Sequence, residues 1–206
     1  RLDEARLDGD VYVVGRGGRG HALRAQVFAR REFAGYWEYL LDEALFTTPA
    51  HPEWSGAALL DGDGRLVGIG SLFVQEPDGD EIVKGNMFVP SELLDPILED
   101  MLKTGHAGRP PRAWLGVYTA ETGDGVTIQG LAHGGPAERA GLQPGDIVRD
   151  VAGDPVEGLA DFYRHVWSRG PAGTPIALTL TRAGRLTQVS VPSVDRGSLL
   201  KKPPLQ

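Results

Sequence analysis

Short apolar runs and period-two stretches, separated by glycine-containing turns, fill most of this chain and leave few ways to fold it. Leu23, Ala25, Val27 and Ala29 alternate with Arg24, Gln26, Phe28 and Arg30, the pattern of a strand with one face on a core. Residues 11–14 form an apolar run. Residues 57–60 and 66–69 flank Asp61-Gly62-Asp63-Gly64, whose Asp-Gly pairs suit a β-hairpin. Residues 72–74 and 87–89 read as further strands. With 29 Gly and 15 Pro among 206 residues, the chain carries far more turn formers than a helical bundle, which excludes an all-α fold. One helix is expected between Ser91 and Gly105, where Leu94, Ile97, Leu98, Met101 and Leu102 form an i, i+3, i+4 stripe. Its N-cap is Ser91, or Asp95 with Pro96 at the first helical position, and Gly105 ends it.

Charge divides the chain. Residues 1–108 hold 10 Lys/Arg against 19 Asp/Glu, and residues 109–206 hold 11 against 9. At the change lies GHAGRPPR, whose paired prolines disfavour helix and suit a connector. After it, residues 126–131 and 147–151 read as strands, Pro136 opens a short helix, and Pro144-Gly145 suits a type II turn. Phe162, Tyr163, Val166 and Trp167 recur at helical spacing over residues 159–168. Residues 176–181 and 186–191 pair as a hairpin across Ala183-Gly184. Residues 193–206 lack periodicity and are expected to be a disordered tail.

Several chemistries are excluded. The chain has no Cys, so it has no disulfide, thiolate nucleophile or cysteine zinc site. His21, His51, His106, His133 and His165 show no metal-ligand spacing, so no metal is expected. A net charge of −7 and a pI near 5.2 argue against a general nucleic-acid binder. No run approaches the ~18 apolar residues of a membrane-spanning helix, and the first residues, RLDEARLDGD, do not form a signal peptide; a soluble chain is expected. Gly15 to Gly20 is a literal G-x-G-x-x-G, but period two resumes at Leu23 where a dinucleotide site needs a helix, so it reads as a turn between strands.

Residues 47–70 read TTPAHPEWSGAALLDGDGRLVGIG, placing a serine beside glycine on a turn before an apolar strand. This resembles the catalytic-serine segment of trypsin-like proteases of the HtrA type, roughly NPGNSGGPLLD followed by GxVIGI. The shared residues are Pro52, Ser55, Gly56, Leu59, Leu60, Asp61, Gly64, Val67, Gly68 and Ile69. Asn86 to Ser91 and the following helix resemble the family's GFAIPS and the helix that closes its protease domain. Residues 113–191 resemble an HtrA-type PDZ domain, through Trp114-Leu115-Gly116-Val117, GGPAERAGLQPGDIV, PVEGLADFYRHV and PIALTLTRAGRL.

The resemblance implies a mainly β chain: the C-terminal half of a trypsin-like double β-barrel, with six strands and a closing helix over residues 1–108, then a PDZ domain over 109–192. It implies Ser55 as nucleophile, the backbone N–H groups of Glu53 and Ser55 as oxyanion donors, and Gly70, Ser71 and Leu72 as the strand along which substrate lies. The family's base His and orienting Asp come from a first barrel upstream of Arg1, and His51 does not occupy the base position. The residues given are therefore expected not to hydrolyse peptides by themselves. EWSGA replaces the usual GNSGG, which restricts the backbone at Glu53 and puts a negative charge beside a developing oxyanion.

For the PDZ half, the resemblance implies that the N–H groups of Leu115, Gly116 and Val117 form a nest for a peptide carboxylate. The peptide would add as a strand along Val117, Tyr118 and Thr119. Phe162 and Val166 either line a pocket for its last side chain or pack in the core. The function implied is that of the C-terminal part of an HtrA-like serine endopeptidase acting on unfolded or misfolded polypeptides, with a PDZ domain that binds C-termini. The alternative is a non-catalytic peptide-binding scaffold. No cofactor is implied; the partners are polypeptides, and the intact protein is expected to be a homo-oligomer of the cell envelope or periplasm, with its export signal upstream.

Overall fold

The computed structural model describes residues 9–199 except Asp80. These residues form two compact units: residues 9–33 with 41–108, and residues 34–40 with 109–199. The fold is mainly β.

In the first unit six strands close into a barrel in the order β1-β2-β3-β6-β5-β4. They are β1 (Val11–Val14), β2 (Ala22–Gly35), β3 (Tyr39–Thr48), β4 (Ala58–Leu60), β5 (Leu66–Asp78) and β6 (Glu81–Pro90). Val11, Val13, Ala25, Leu45, Leu59, Val67 and Phe88 are buried together, and Leu23 and Val27, on the same period-two face as Ala25, pack against them. Asp61 is 2% exposed and closes the β4–β5 turn, accepting the N–H groups of Asp63 at 3.0 Å and Arg65 at 2.8 Å. No helix follows Gly15–Gly20: a short 3-10 turn, Gly18–His21, leads straight into β2.

The helix expected from Ser91 to Gly105 is shorter. A 3-10 turn covers Ser91–Leu93, and α1 spans Leu98–Thr104 only. Neither proposed cap acts as one: the residue before α1 is Ile97, and the Ser91 hydroxyl donates to the Leu66 carbonyl at 2.9 Å. Leu94, Leu98, Met101 and Leu102 are all at least 40% exposed, so the stripe lacks the packing that would stabilise a longer helix. Gly105 does end α1, in the left-handed region at φ 74°.

The second unit is a sheet in the order β12-β11-β9-β8-β7, with β10 on β9. The strands are β7 (Val117–Thr122), β8 (Gly125–Leu131), β9 (Ile147–Val151), β10 (Asp154–Pro155), β11 (Pro175–Arg182) and β12 (Arg185–Pro192). The helices are α2 (Pro136–Arg139) and α3 (Leu159–Ser168). Leu115, Ile128, Val148, Phe162, Val166, Ile176, Leu178 and Leu180 build its core. Positive φ at Ala183 and Gly184 gives the β11–β12 turn the twist that a two-residue hairpin needs.

Pro111 and Arg112, within the stretch read as a connector, bond inside the second unit: Ala172 N–H donates to the Pro111 carbonyl at 2.8 Å, and the Arg112 guanidinium lies 4.3 Å over the Trp167 ring. The expected tail is also ordered at its start. Ser193 is 2% exposed, Trp114 and Val194 exchange backbone hydrogen bonds, and Arg196–Leu199 is a 3-10 turn; pairing of backbone groups, which periodicity does not report, orders this stretch. The rest of that tail, residues 200–206, lies outside the described residues.

Candidate functional site

Ser55 stands exposed on a turn in which Ala57 N–H donates to the Trp54 carbonyl at 3.0 Å. Its hydroxyl has no hydrogen-bond partner among the described residues, so no base approaches it there. His51 is unsuited to that task. It is 4% exposed, its Nε2 lies 2.8 Å from the His21 carbonyl, and its Nδ1 accepts the Glu53 N–H at 3.0 Å. This pattern requires the neutral imidazole with its proton on Nε2. It also corrects the oxyanion assignment: the Glu53 N–H points at His51 and is not free for a substrate oxygen. The Glu53 carboxylate faces His21 at 3.4 Å.

The anticipated substrate strand is similarly engaged. Gly70 N–H donates to the Ala57 carbonyl at 2.8 Å, and the Gly70 carbonyl accepts Gly56 N–H at 2.9 Å. Gly70 therefore ties the serine turn to β5 and has no backbone group left for a peptide. Leu72 pairs with Met87, and Ser71 falls in the bulge between Gly70 and Leu72.

The nest of the second unit holds a carboxylate. Glu38 Oε2 accepts Leu115 N–H at 2.9 Å, and Glu38 Oε1 accepts Gly116 N–H at 2.6 Å and Val117 N–H at 3.0 Å. Three convergent amides are a fit for one carboxylate and little else. Gly116 makes this possible through φ +79°, which aims successive amides at one point; its Cβ would also press on Trp114, Ala132 and Pro136 at 3.1–3.3 Å. Thr119 N–H donates to the Tyr36 carbonyl at 2.9 Å, so residues 34–40 bond to β7 where an added strand would. Tyr118 stands 6.1 Å from the Tyr36 ring.

Phe162 and Val166 are each 1% exposed in the core cluster, against which Ala34 and Leu40 of residues 34–40 also pack. The α3 residue that reaches residues 34–40 is Tyr163. Its hydroxyl donates to the Gly35 carbonyl at 2.7 Å, accepts Glu38 N–H at 3.1 Å and lies 2.9 Å from Thr119 Oγ1. Sequence reasoning missed Gly35, Tyr36, Glu38 and Tyr163. The available signal was a lone acid between aromatics, Tyr36-Trp37-Glu38-Tyr39, directly after a glycine.

Burial pushes the Glu38 carboxyl up to about 7, against the three amides and Arg196, which favour the anion. The Tyr163 phenol is likewise pushed up, to about 12, by burial first of all. A carboxyl raised on docking gives a stabilisation that is complete below its unfolded value and is lost as pH rises through the folded one. The segment is therefore expected to loosen between about pH 5 and about pH 7, by at most about tenfold per pH unit for one proton. Exchange protection of the Leu115, Gly116 and Val117 amides measures this, and Glu38→Gln should remove the dependence.

Among the described residues no three His, Asp or Glu side chains form a metal-sized group, and no helix is long and apolar enough to cross a membrane.

Comparison with known proteins agrees with this architecture. The PDZ-domain family model matches residues 113–192. A Do-like serine protease HtrA of Bacillus subtilis is 30% identical over 152 residues, covering 66% of this chain and 33% of the relative. Serine endoprotease DegS of Haemophilus influenzae is 25% identical over 141 residues, covering 66% and 40%. A probable periplasmic DegP-like endoprotease of Chlamydia muridarum is 27% identical over 169 residues, covering 74% and 33%. The chain thus spans about a third of the length of these relatives. Among solved structures, the HtrA-type protease AlgW with a decapeptide superposes with a TM-score of 0.56 at 21% identity, over 98% of this chain and 63% of that one. The serine endoprotease of Yersinia pestis gives 0.51 at 23%, over 91% and 62%. Residues 113–192 are a PDZ domain, and the chain that carries them is homologous to the HtrA/DegP serine proteases.

Proposed function

We propose that this chain captures polypeptide C-termini in its PDZ groove, as the C-terminal part of an HtrA-type endopeptidase that acts on unfolded polypeptides. The observation that carries the reading is the carboxylate held by the amides of Leu115, Gly116 and Val117. A bound peptide would extend along Val117, Tyr118 and Thr119, the strand addition typical of such domains. An AlgW structure described with a decapeptide supports a peptide ligand. Titration with an octapeptide bearing a free C-terminus should shift the amide resonances of Leu115, Gly116 and Val117, and the C-terminally amidated peptide should not. Equal shifts from both would overturn the reading.

A second reading, a peptide-binding scaffold with a silent serine, is favoured by the Glu53 N–H bond to His51, which leaves one oxyanion donor out of place. Loss of one such donor costs about 10²-fold or more in rate. This chain is expected to leave casein intact, whether wild type or Ser55→Ala. Casein cleavage that Ser55→Ala abolishes would refute the silent-serine reading. An envelope location and assembly into homo-oligomers complete the proposal; the location is supported by relatives named periplasmic. Nucleic acid is not a partner, in keeping with the pI of about 5.2.

A further inference from the structure

We propose that residues 34–40 are a built-in ligand of the PDZ groove, and that an external C-terminus binds only by exchange with them. The proposal rests on the reading of the Leu115–Val117 amides as a C-terminus site. Three amides facing one point accommodate a single carboxylate, so Glu38 and a peptide end exclude each other. The mimicry extends to the backbone. Tyr36 bonds opposite Thr119, and Glu38 reaches residues 115–117, so the segment runs antiparallel to β7 and ends at the nest. A C-terminal peptide added to that strand would have the same direction.

Two further features show that the docked form is held by specific contacts. The Tyr163 hydroxyl bridges the Gly35 carbonyl and the Glu38 N–H, clamping both sides of the turn. Glu38 itself has φ 58°, a left-handed conformation that is unfavourable for a residue with a side chain. Such a conformation persists only where surrounding contacts determine it, and here the three amides and Tyr163 supply them. The apparent peptide affinity is then the intrinsic affinity reduced by the fraction of molecules in which residues 34–40 have left the groove.

The test compares the full chain, wild type and Glu38→Ala, by fluorescence polarisation with a fluorescein-labelled octapeptide ending in Val, as free acid and as amide. Glu38→Ala is expected to bind the free acid about tenfold more tightly or better, as removal of a competitor requires. The amide should bind weakly to both. Tyr163→Phe, which keeps the carboxylate but removes the clamp, should give a smaller gain. In peptide-free wild type, the Leu115, Gly116 and Val117 amides should be protected from exchange. Equal free-acid affinities for wild type and both variants would overturn the built-in ligand and leave the groove reading intact. Folded proteins that do not prefer the free acid over the amide would overturn the groove reading as well. If Glu38→Ala does not fold, the exchange measurement decides, and rapid exchange of the three amides in wild type refutes the proposal.

Discussion

Gly70→Ala is expected to destabilise the unit that carries Ser55 by at least about 3 kcal/mol, a steric effect at the upper end of overpacking costs. An added Cβ would fall well inside the radius of the Trp54 carbonyl oxygen, and would lie 3.0 Å from the Trp54 carbonyl carbon and 3.3 Å from Ala57 N. All three are backbone atoms, so no side-chain rotation relieves the clash. The turn must withdraw from β5, and withdrawal breaks the Gly70–Ala57 and Gly56–Gly70 hydrogen bonds together. Amide exchange checks this with an internal control. Leu59 and Val67, both buried in the barrel, should lose protection, while Ile128 and Leu178 of the second unit should not. A change below about 1 kcal/mol, the size of an ordinary substitution, would show that the turn yields freely.

Arg182→Met is the second large effect, about 2 kcal/mol from the second unit, the size expected for charge-assisted hydrogen bonds lost to a buried carboxylate whose guanidinium partner is itself partly exposed. Asp146 is 1% exposed, and its oxygens receive Arg182 Nε and Nη2, each at 2.7 Å, together with the Gln143 N–H at 2.9 Å. Burial alone would raise the Asp146 carboxyl, but the Arg182 bonds overcome it and hold the group below its ordinary range. The wild-type contribution is therefore present above the unfolded value near 3.8 and lost as pH falls through the lower folded value. Without the guanidinium, burial dominates and the sign reverses. The variant should gain stability as pH falls from neutral toward the ordinary aspartate range. Protection of Ile128 and Leu178 against pH reads both slopes, and parallel slopes would refute the assignment.

What the sequence made legible is what local chemistry dictates. Alternation placed Ala25 inside the barrel, the Asp61 turn joined β4 to β5, and Trp114-Leu115-Gly116-Val117 marked the stretch whose amides donate to Glu38. The stretch from Arg31 to Thr48 was opaque for a physical reason. Leu40, Leu41, Ala44 and Leu45 fall at helical spacing, yet Ala44, Leu45 and Phe46 are buried consecutively in β3 because strand pairing prevails over propensity. The apolar stripe after Ser91 misled in the opposite direction, since its residues remain exposed. Nothing in one dimension distinguishes Glu38 among 28 acidic residues, because its role comes from a turn that closes on amides about 77 positions away. The Glu53–His51 bond escaped notice for a related reason: the motif identifies the donor but not the direction in which its N–H points.

The covalent attachment of Glu38 has a quantitative consequence. A carboxylate tethered near its receptor acts at an effective concentration in the millimolar range for short flexible links, without any contact beyond those it already makes. The internal segment can therefore be a poor ligand by the standards of a free peptide and still occupy the groove almost always. The dose of external C-termini needed to empty it is then governed by the reach and stiffness of residues 34–40. Lengthening that turn with a few glycines would retune the threshold while every residue of the groove stayed unchanged.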